Sequence, residues 1–205
     1  LRDAGLECIG CTCLDKETDV TSADEGTRKR GIAHLQKSAE LFSELGGKLV
    51  SGVTYGAWGK LTGTGRTNEE WNHSAESLRT VCRIVRDSGV TIGLEPANRF
   101  ETYFLNIAAD AVKLAKEVNE PNIGVNLDTF HMNIEERTIE DAIRRAGRKL
   151  IHVHVADSNR LAPGLGHIDF PKVIRALTDL GYDRYLSAEI LASPIHIRAA
   201  QLTYQ

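Results

Sequence analysis

One alternation recurs along the chain: a short aliphatic run, a polar loop, then a longer amphipathic stretch. The runs are LECIGCTC (6–13), KLVSGVTY (48–55), VTIGLE (90–95), NIGVNLD (122–128), KLIHVHV (149–155) and RYLSAEI (184–190). Between them lie helical patterns. TRKRGIAHLQKSAELFSELGG closes on Gly46 and Gly47 as a helix stop. NEEWNHSAESLRTVCRIVRDSG opens after Thr67 or Asn68 as N-cap and ends at Gly89. NIAADAVKLAKEVN, TIEDAIRRAG and DFPKVIRALTDLG complete the set. Strand and helix in regular exchange predict an α/β fold with a parallel sheet.

Alternation within the runs predicts how the sheet is covered. Val90, Ile92 and Leu94 are aliphatic, while Thr91, Gly93 and Glu95 are polar or small. The same split sets Ile123, Val125 and Leu127 against Gly124, Asn126 and Asp128, and Ile151, Val153 and Val155 against Leu150, His152 and His154. Leu186 and Ala188 oppose Tyr185, Ser187 and Glu189. A parallel sheet covered by helices on both faces reads as continuously hydrophobic. One aliphatic and one polar face instead predict a (β/α) barrel, with helices outside and polar side chains lining the lumen. An open doubly wound sheet would want a glycine-rich phosphate turn after an early strand. GTGR (63–66) lacks both the full fingerprint and a strand directly before it.

Composition adds exclusions. The chain has 205 residues, 41% hydrophobic and 26% charged, and suits one globular domain. Its 25 basic and 28 acidic residues give a net charge of −3, which does not suggest nucleic acid or an anionic membrane as partner. No run approaches the roughly 18 apolar residues of a membrane span. The opening LRDAGLEC has no basic-then-apolar signal pattern, so the expected compartment is the cytoplasm. Cys8, Cys11 and Cys13 form C-x2-C-x-C, but on an apolar run with no second pair to complete four thiolates. Small buried thiols packing a strand are the expectation.

The last inward positions of four consecutive strands are Glu95, Asp128, His154 and Glu189. Their spacings of 33, 26 and 35 residues each match about one strand-plus-helix unit. Any one alone would be an ordinary polar strand end. Four in phase converge on one rim, and three like charges there are costly to keep ionised without a cation. Three carboxylates and one imidazole suit Mn²⁺, Mg²⁺ or Co²⁺ better than a thiolate-loving ion. Glu101, His131 and Arg160 lie where they can face a substrate, whereas Asn98, Arg99 and Asn159 read as loop organisers. Trp58 can floor the pocket against a substrate's apolar face or simply pack. Of the two histidines in HVHVADSNR, His154 is nearer the rim; His152 lies roughly 7 Å down the strand, to fill the lumen or support the site.

EPANRFE, LDTFHMNIEE and HVHVADSNR followed by GLGHIDF resemble the ketose 3-epimerases, such as D-tagatose and D-allulose 3-epimerases, of the xylose-isomerase-like TIM-barrel superfamily. The resemblance runs from about Leu6 to Glu189. It implies an eight-stranded barrel, one divalent ion (Mn²⁺ first, Co²⁺ or Mg²⁺ next) on Glu95, Asp128, His154 and Glu189, and sugar contacts from Glu101, His131 and Arg160. It further implies a homodimer or homotetramer acting on a small free sugar, with C3 epimerisation of D-tagatose/D-sorbose or D-fructose/D-allulose as the reaction. Glu95 and Glu189 are the expected acid and base. Six strand units are recognisable where the family has eight, so the chain (1–205, one domain) is expected to lack the first two strands and to be incomplete at both ends. Rival readings are an aldose–ketose or hydroxypyruvate isomerase on the same metal site and a phosphopentulose 3-epimerase. An endonuclease-IV-like repair enzyme and a non-catalytic sugar-binding barrel differ in class. The repair enzyme would need more strand-end histidines and a basic face than seven histidines and a charge of −3 provide.

Overall fold

The computed structural model of the chain describes residues 1–191, so residues 192–205 lie outside the described residues. Six parallel strands form one sheet in chain order. They are β1 (Gly10–Cys11), β2 (Leu49–Ser51), β3 (Thr91–Leu94), β4 (Ile123–Asp128), β5 (Leu150–Val155) and β6 (Leu186–Ala188). The crossover helices are α1 (Glu25–Glu44), α2 (Asn68–Ile84), α3 (Ala108–Val118), α4 (Thr129–Glu135), α5 (Ile139–Ala146) and α6 (Phe170–Asp179). Successive strands therefore pair in parallel with a helix between them, the arrangement of a (β/α) barrel wall.

Local chemistry sets the helix ends. Asp24 caps α1, accepting from the Thr27 amide at 2.6 Å. Thr67, not Asn68, caps α2: its hydroxyl accepts from the Glu70 amide at 3.1 Å while Glu70 Oε2 accepts from the Thr67 amide at 2.8 Å, a reciprocal capping box. Helix α1 stops at Glu44, and Gly46 turns the chain at φ +84°. Helix α4 is an addition that aliphatic periodicity does not announce. It starts because Asp128, closing β4, accepts from the amides of Phe130 at 2.6 Å and His131 at 3.3 Å.

The outer strand face (Val50, Ile92, Leu94, Val125, Leu127, Val153) is buried against Leu35, Leu78, Leu114 and Ile143 of the helices. One strand departs from the predicted alternation. Val125 pairs with Leu150 but Asn126 pairs with His152, so the register slips by one residue at Ile151. Leu150 joins the helix-facing core, and Ile151 turns to the side of the sheet bearing Gly93 and Gly124. The expected places of these two residues are thus exchanged. The slip restores His152 and His154 to the inner face, and the two glycines leave the space Ile151 occupies. Cysteine burial also differs: Cys82 is buried, but Cys11 and Cys13 are exposed and Cys8 is half-buried, because β1 is an edge strand of this sheet.

A Cβ at Gly124 would stand 2.4 Å from Ile151 Cγ2 and 2.8 Å from the Lys149 carbonyl. Gly124→Ala should therefore lose about 1–3 kcal/mol of stability in urea unfolding, and adding Ile151→Ala should not deepen that loss by the full cost of a separate cavity.

Candidate metal centre

Each of the four rim residues is set by the end of its strand. Glu95 follows β3 and its amide donates to the Gly52 carbonyl at 3.1 Å. Asp128 ends β4, His154 lies one residue from the end of β5, and the Glu189 amide donates to the Val155 carbonyl at 3.1 Å. One donor atom from each lies within 4.8 Å of the others, and no cysteine belongs to the group. Glu95, Asp128 and His154 are buried, while Glu189 is partly open.

The protein brings its own positive charge to these acids. His154 Nδ1 lies 2.8 Å from Glu95 Oε1 and 3.3 Å from Glu189 Oε2. Burial alone would lower the imidazole's pKa; the hydrogen bonds and charges of Glu189 and Glu95 overcome it and push it up to about 10. The Arg160 guanidinium donates to Asp128 Oδ2 and to Glu189 Oε2, each at 2.7 Å. Burial raises the Asp128 carboxyl, opposed by His131 and Arg160. For Glu189, burial is outweighed chiefly by the His154 hydrogen bond, and its pKa is lowered. Three carboxylates therefore meet two cationic side chains. Oxygen-rich donors with one imidazole, converging on a point already electrostatically set to receive positive charge, fit a hard or borderline divalent cation.

His152 sits beneath this group, its ring edge-to-face with His154 at 5.0 Å between centroids. Neither of its ring nitrogens has a hydrogen-bond partner among the described residues. Burial and the neighbouring His154 bring its pKa down to about 4, so it fills the lumen as a neutral ring.

The sugar-facing candidates fall into two groups. Arg160 reaches directly into the acid cluster. Glu101, His131 and Trp58 form a second cluster alongside: Trp58 Nε1 donates to Glu101 Oε2 at 3.0 Å, and His131 Nδ1 lies 3.9 Å from Glu101 Oε1. Asn98 joins them, with Nδ2 2.8 Å from Glu101 Oε1 and 2.9 Å from His131 Nδ1. Trp58 is 40% exposed and thus not a core residue. Arg99 turns away to pair with Glu135, and Asn159 donates to the Leu165 carbonyl, as loop organisers should.

Sequence reasoning passed over Asp157. Its Oδ1 accepts from the amides of Ser158 at 2.7 Å and Ile168 at 3.1 Å, and Oδ2 from Gly164 at 2.8 Å. A Cβ at Gly166 would fall 2.1 Å from Oδ1. Around this carboxylate the loop 156–168 is wound, and it holds Arg160 at φ +62°, a conformation costly for any side chain but glycine. The signal was present: an acid followed by Ser-Asn directly after a strand is an Asx-turn pattern.

A family of xylose isomerase-like TIM barrels matches residues 1–203. The L-ribulose 3-epimerase of Mesorhizobium japonicum is 37% identical over 95% of this chain and 65% of its own length. The D-psicose 3-epimerase of Ruminiclostridium cellulolyticum is 39% identical over 82% of this chain and 57% of its own. This chain thus spans less than two thirds of these two curated relatives. The crystal structure of a D-allulose 3-epimerase from Methylomonas sp. in complex with D-allulose superposes with a TM-score of 0.92 at 31% identity, covering 100% of this chain and 72% of that one.

Two measurements follow. Any divalent ion binding through His154 must displace its proton, and with a pKa of about 10 that proton is present throughout the neutral range. Manganese affinity measured by calorimetry should rise with pH from 6 to 8, by up to about tenfold per unit, with proton release on binding. Burial opposes the Asp157 charge, but the amides of Ile168, Ser158 and Gly164 hold its pKa down to about 2. Asp157→Asn should therefore cost about 1–3 kcal/mol at neutral pH. Because the folded pKa is depressed, that difference is full above the unfolded value of about 4 and closes as pH falls toward about 2.

Proposed function

The chain belongs to the xylose isomerase-like TIM barrel family and groups within it with the ketose 3-epimerases, and from that premise we propose that it serves metal-dependent C3 epimerisation of free ketoses. The observation that carries this reading is the convergence of Glu95, Asp128, His154 and Glu189, with Arg160 reaching into the cluster and the Glu101–His131 pair as a separate polar group. The substrates are small sugars such as D-fructose/D-allulose or D-tagatose/D-sorbose. The fold forms one domain of a homo-oligomeric enzyme acting in the cytoplasm.

Glu95, Asp128, His154 and Glu189 would hold the cation, Mn²⁺ in the first instance. When bound, it supplies a Lewis acid for the C2 carbonyl and C3 hydroxyl of the sugar. The chain's own residues do the rest. Glu95 and Glu189 come from strands separated by two others and approach His154 Nδ1 from different partners in the sheet. One carboxylate removes the C3 proton; the C–H electron pair moves into an enediolate across C2 and C3. The other carboxyl returns a proton to the opposite face, and the roles exchange with direction. Arg160, Glu101 and His131 grip the sugar's oxygens and Trp58 covers its apolar face.

The proton's position separates this reading from an aldose–ketose or hydroxypyruvate isomerase, which would exchange C1 or C2 hydrogen. In D₂O, NMR should show deuterium entering C3 of the ketose. Glu95→Gln and Glu189→Gln should keep the circular dichroism spectrum while losing about 10²–10⁴-fold in C3 exchange. Near-parental exchange in both variants refutes the assignment.

A further inference from the structure

A second set of charged side chains is packed away from the acid cluster, among the loops that follow β1, β2 and β3. Asp19 is buried. Its Oδ1 accepts from the Thr21 amide at 2.9 Å, the Thr21 hydroxyl at 2.7 Å and the Ala57 amide at 3.2 Å, and its Oδ2 from Lys60 Nζ at 2.9 Å. Lys60 Nζ also reaches Thr21 Oγ1 at 3.0 Å and Glu70 Oε1 at 3.3 Å. It stands 5.2 Å from the centre of the Tyr103 ring, whose hydroxyl donates to the same Glu70 oxygen at 2.6 Å. One ammonium thereby joins three loops and the first turn of α2.

The second of those loops carries Trp58. Its amide donates to the Leu14 carbonyl and the Gly59 amide to the Glu101 carbonyl, each at 2.8 Å, and Gly59 turns at φ +78°. Alongside these two backbone bonds, the indole's own bond to Glu101 and the Ala57 amide's bond to Asp19, the Lys60 ammonium ties the turn to Asp19, Thr21 and Glu70. An exposed ion pair would do little here. This one has a carboxylate only 6% exposed, so breaking it strands a buried charge. Burial acts to lower the Lys60 pKa, but the Asp19 hydrogen bond outweighs it and leaves the ammonium above the ordinary lysine value.

We propose that Lys60 is a positioning residue: clamped by Asp19 and Glu70, it holds the Trp58 indole against the Glu101 carboxylate as one wall of the sugar pocket. Its kinetic consequence rests on the ketose reading above; the placement of Trp58 does not. The test compares the full chain with Lys60→Met and Lys60→Arg. The ¹H–¹⁵N indole resonance of Trp58, identified by its loss in Trp58→Phe, should shift and exchange faster with solvent in Lys60→Met and return toward the parental position in Lys60→Arg. With manganese and a ketose, KM should rise about tenfold in Lys60→Met with kcat within about twofold, and Lys60→Arg should recover most of the loss. A Lys60→Met chain with parental melting temperature, indole resonance and KM overturns the inference. If the parental chain exchanges no ketose hydrogen, the ketose reading fails and the indole resonance alone decides the role of Lys60.

Discussion

Three carboxylates brought to one buried rim cannot all stay ionised without positive charge beside them, and much of this structure serves that requirement. Glu95 and Glu189 hold the His154 imidazole charged. Asp128 and Glu189 share Arg160. Arg160 in turn depends on a loop wound around Asp157, because a left-handed backbone at a bulky residue persists only where its surroundings over-determine it. A divalent ion answers the same requirement with one centre instead of two side chains.

The strands make this convergence possible through register rather than through length. Several are only two to four residues long, yet Glu95, Asp128, His154 and Glu189, at or next to the ends of four of them, bring one donor atom each within 4.8 Å of the others. The slip at Ile151 matters for that reason. Without the extra residue, pairing Leu150 opposite Val125 would carry His152 and His154 to the outer face, and the imidazole would leave the cluster. Gly93 and Gly124, which look like weak points in their strands, are what lets the extra side chain sit inside.

Much of this was legible in the sequence, and the parts that were not share a cause. Period-two alternation at Glu95, Asp128, His154 and Glu189, repeated at unit spacing, points to the four rim residues because alternation survives a short strand. The same alternation misassigned Leu150 and Ile151, since a bulge is invisible to any periodic rule that does not know the neighbouring strand. Cys11 and Cys13 were expected to be buried because apolar runs usually are; whether a strand lies at an edge is a property of the sheet. Helix α4 is hidden because its start signal, Asp128, is also a strand-end acid: one oxygen accepts the first helix amides and the other accepts from Arg160 in the cluster.

The loop contacts were the least legible, and physical reasoning says why. Asp19, Lys60, Glu70 and Tyr103 lie at sequence separations of 10 to 43 residues wherever they touch. No local pattern distinguishes them from solvated charges. Nothing marks Lys60 in GAWGK as other than a surface lysine until Asp19 is found buried beside it. The rim residues are placed by strand ends, whereas Trp58, Glu101 and Asp19 are placed by loops. On the proposed reading, the substrate preference of this barrel should therefore be sought in how its loops are fastened, not in the cluster they surround.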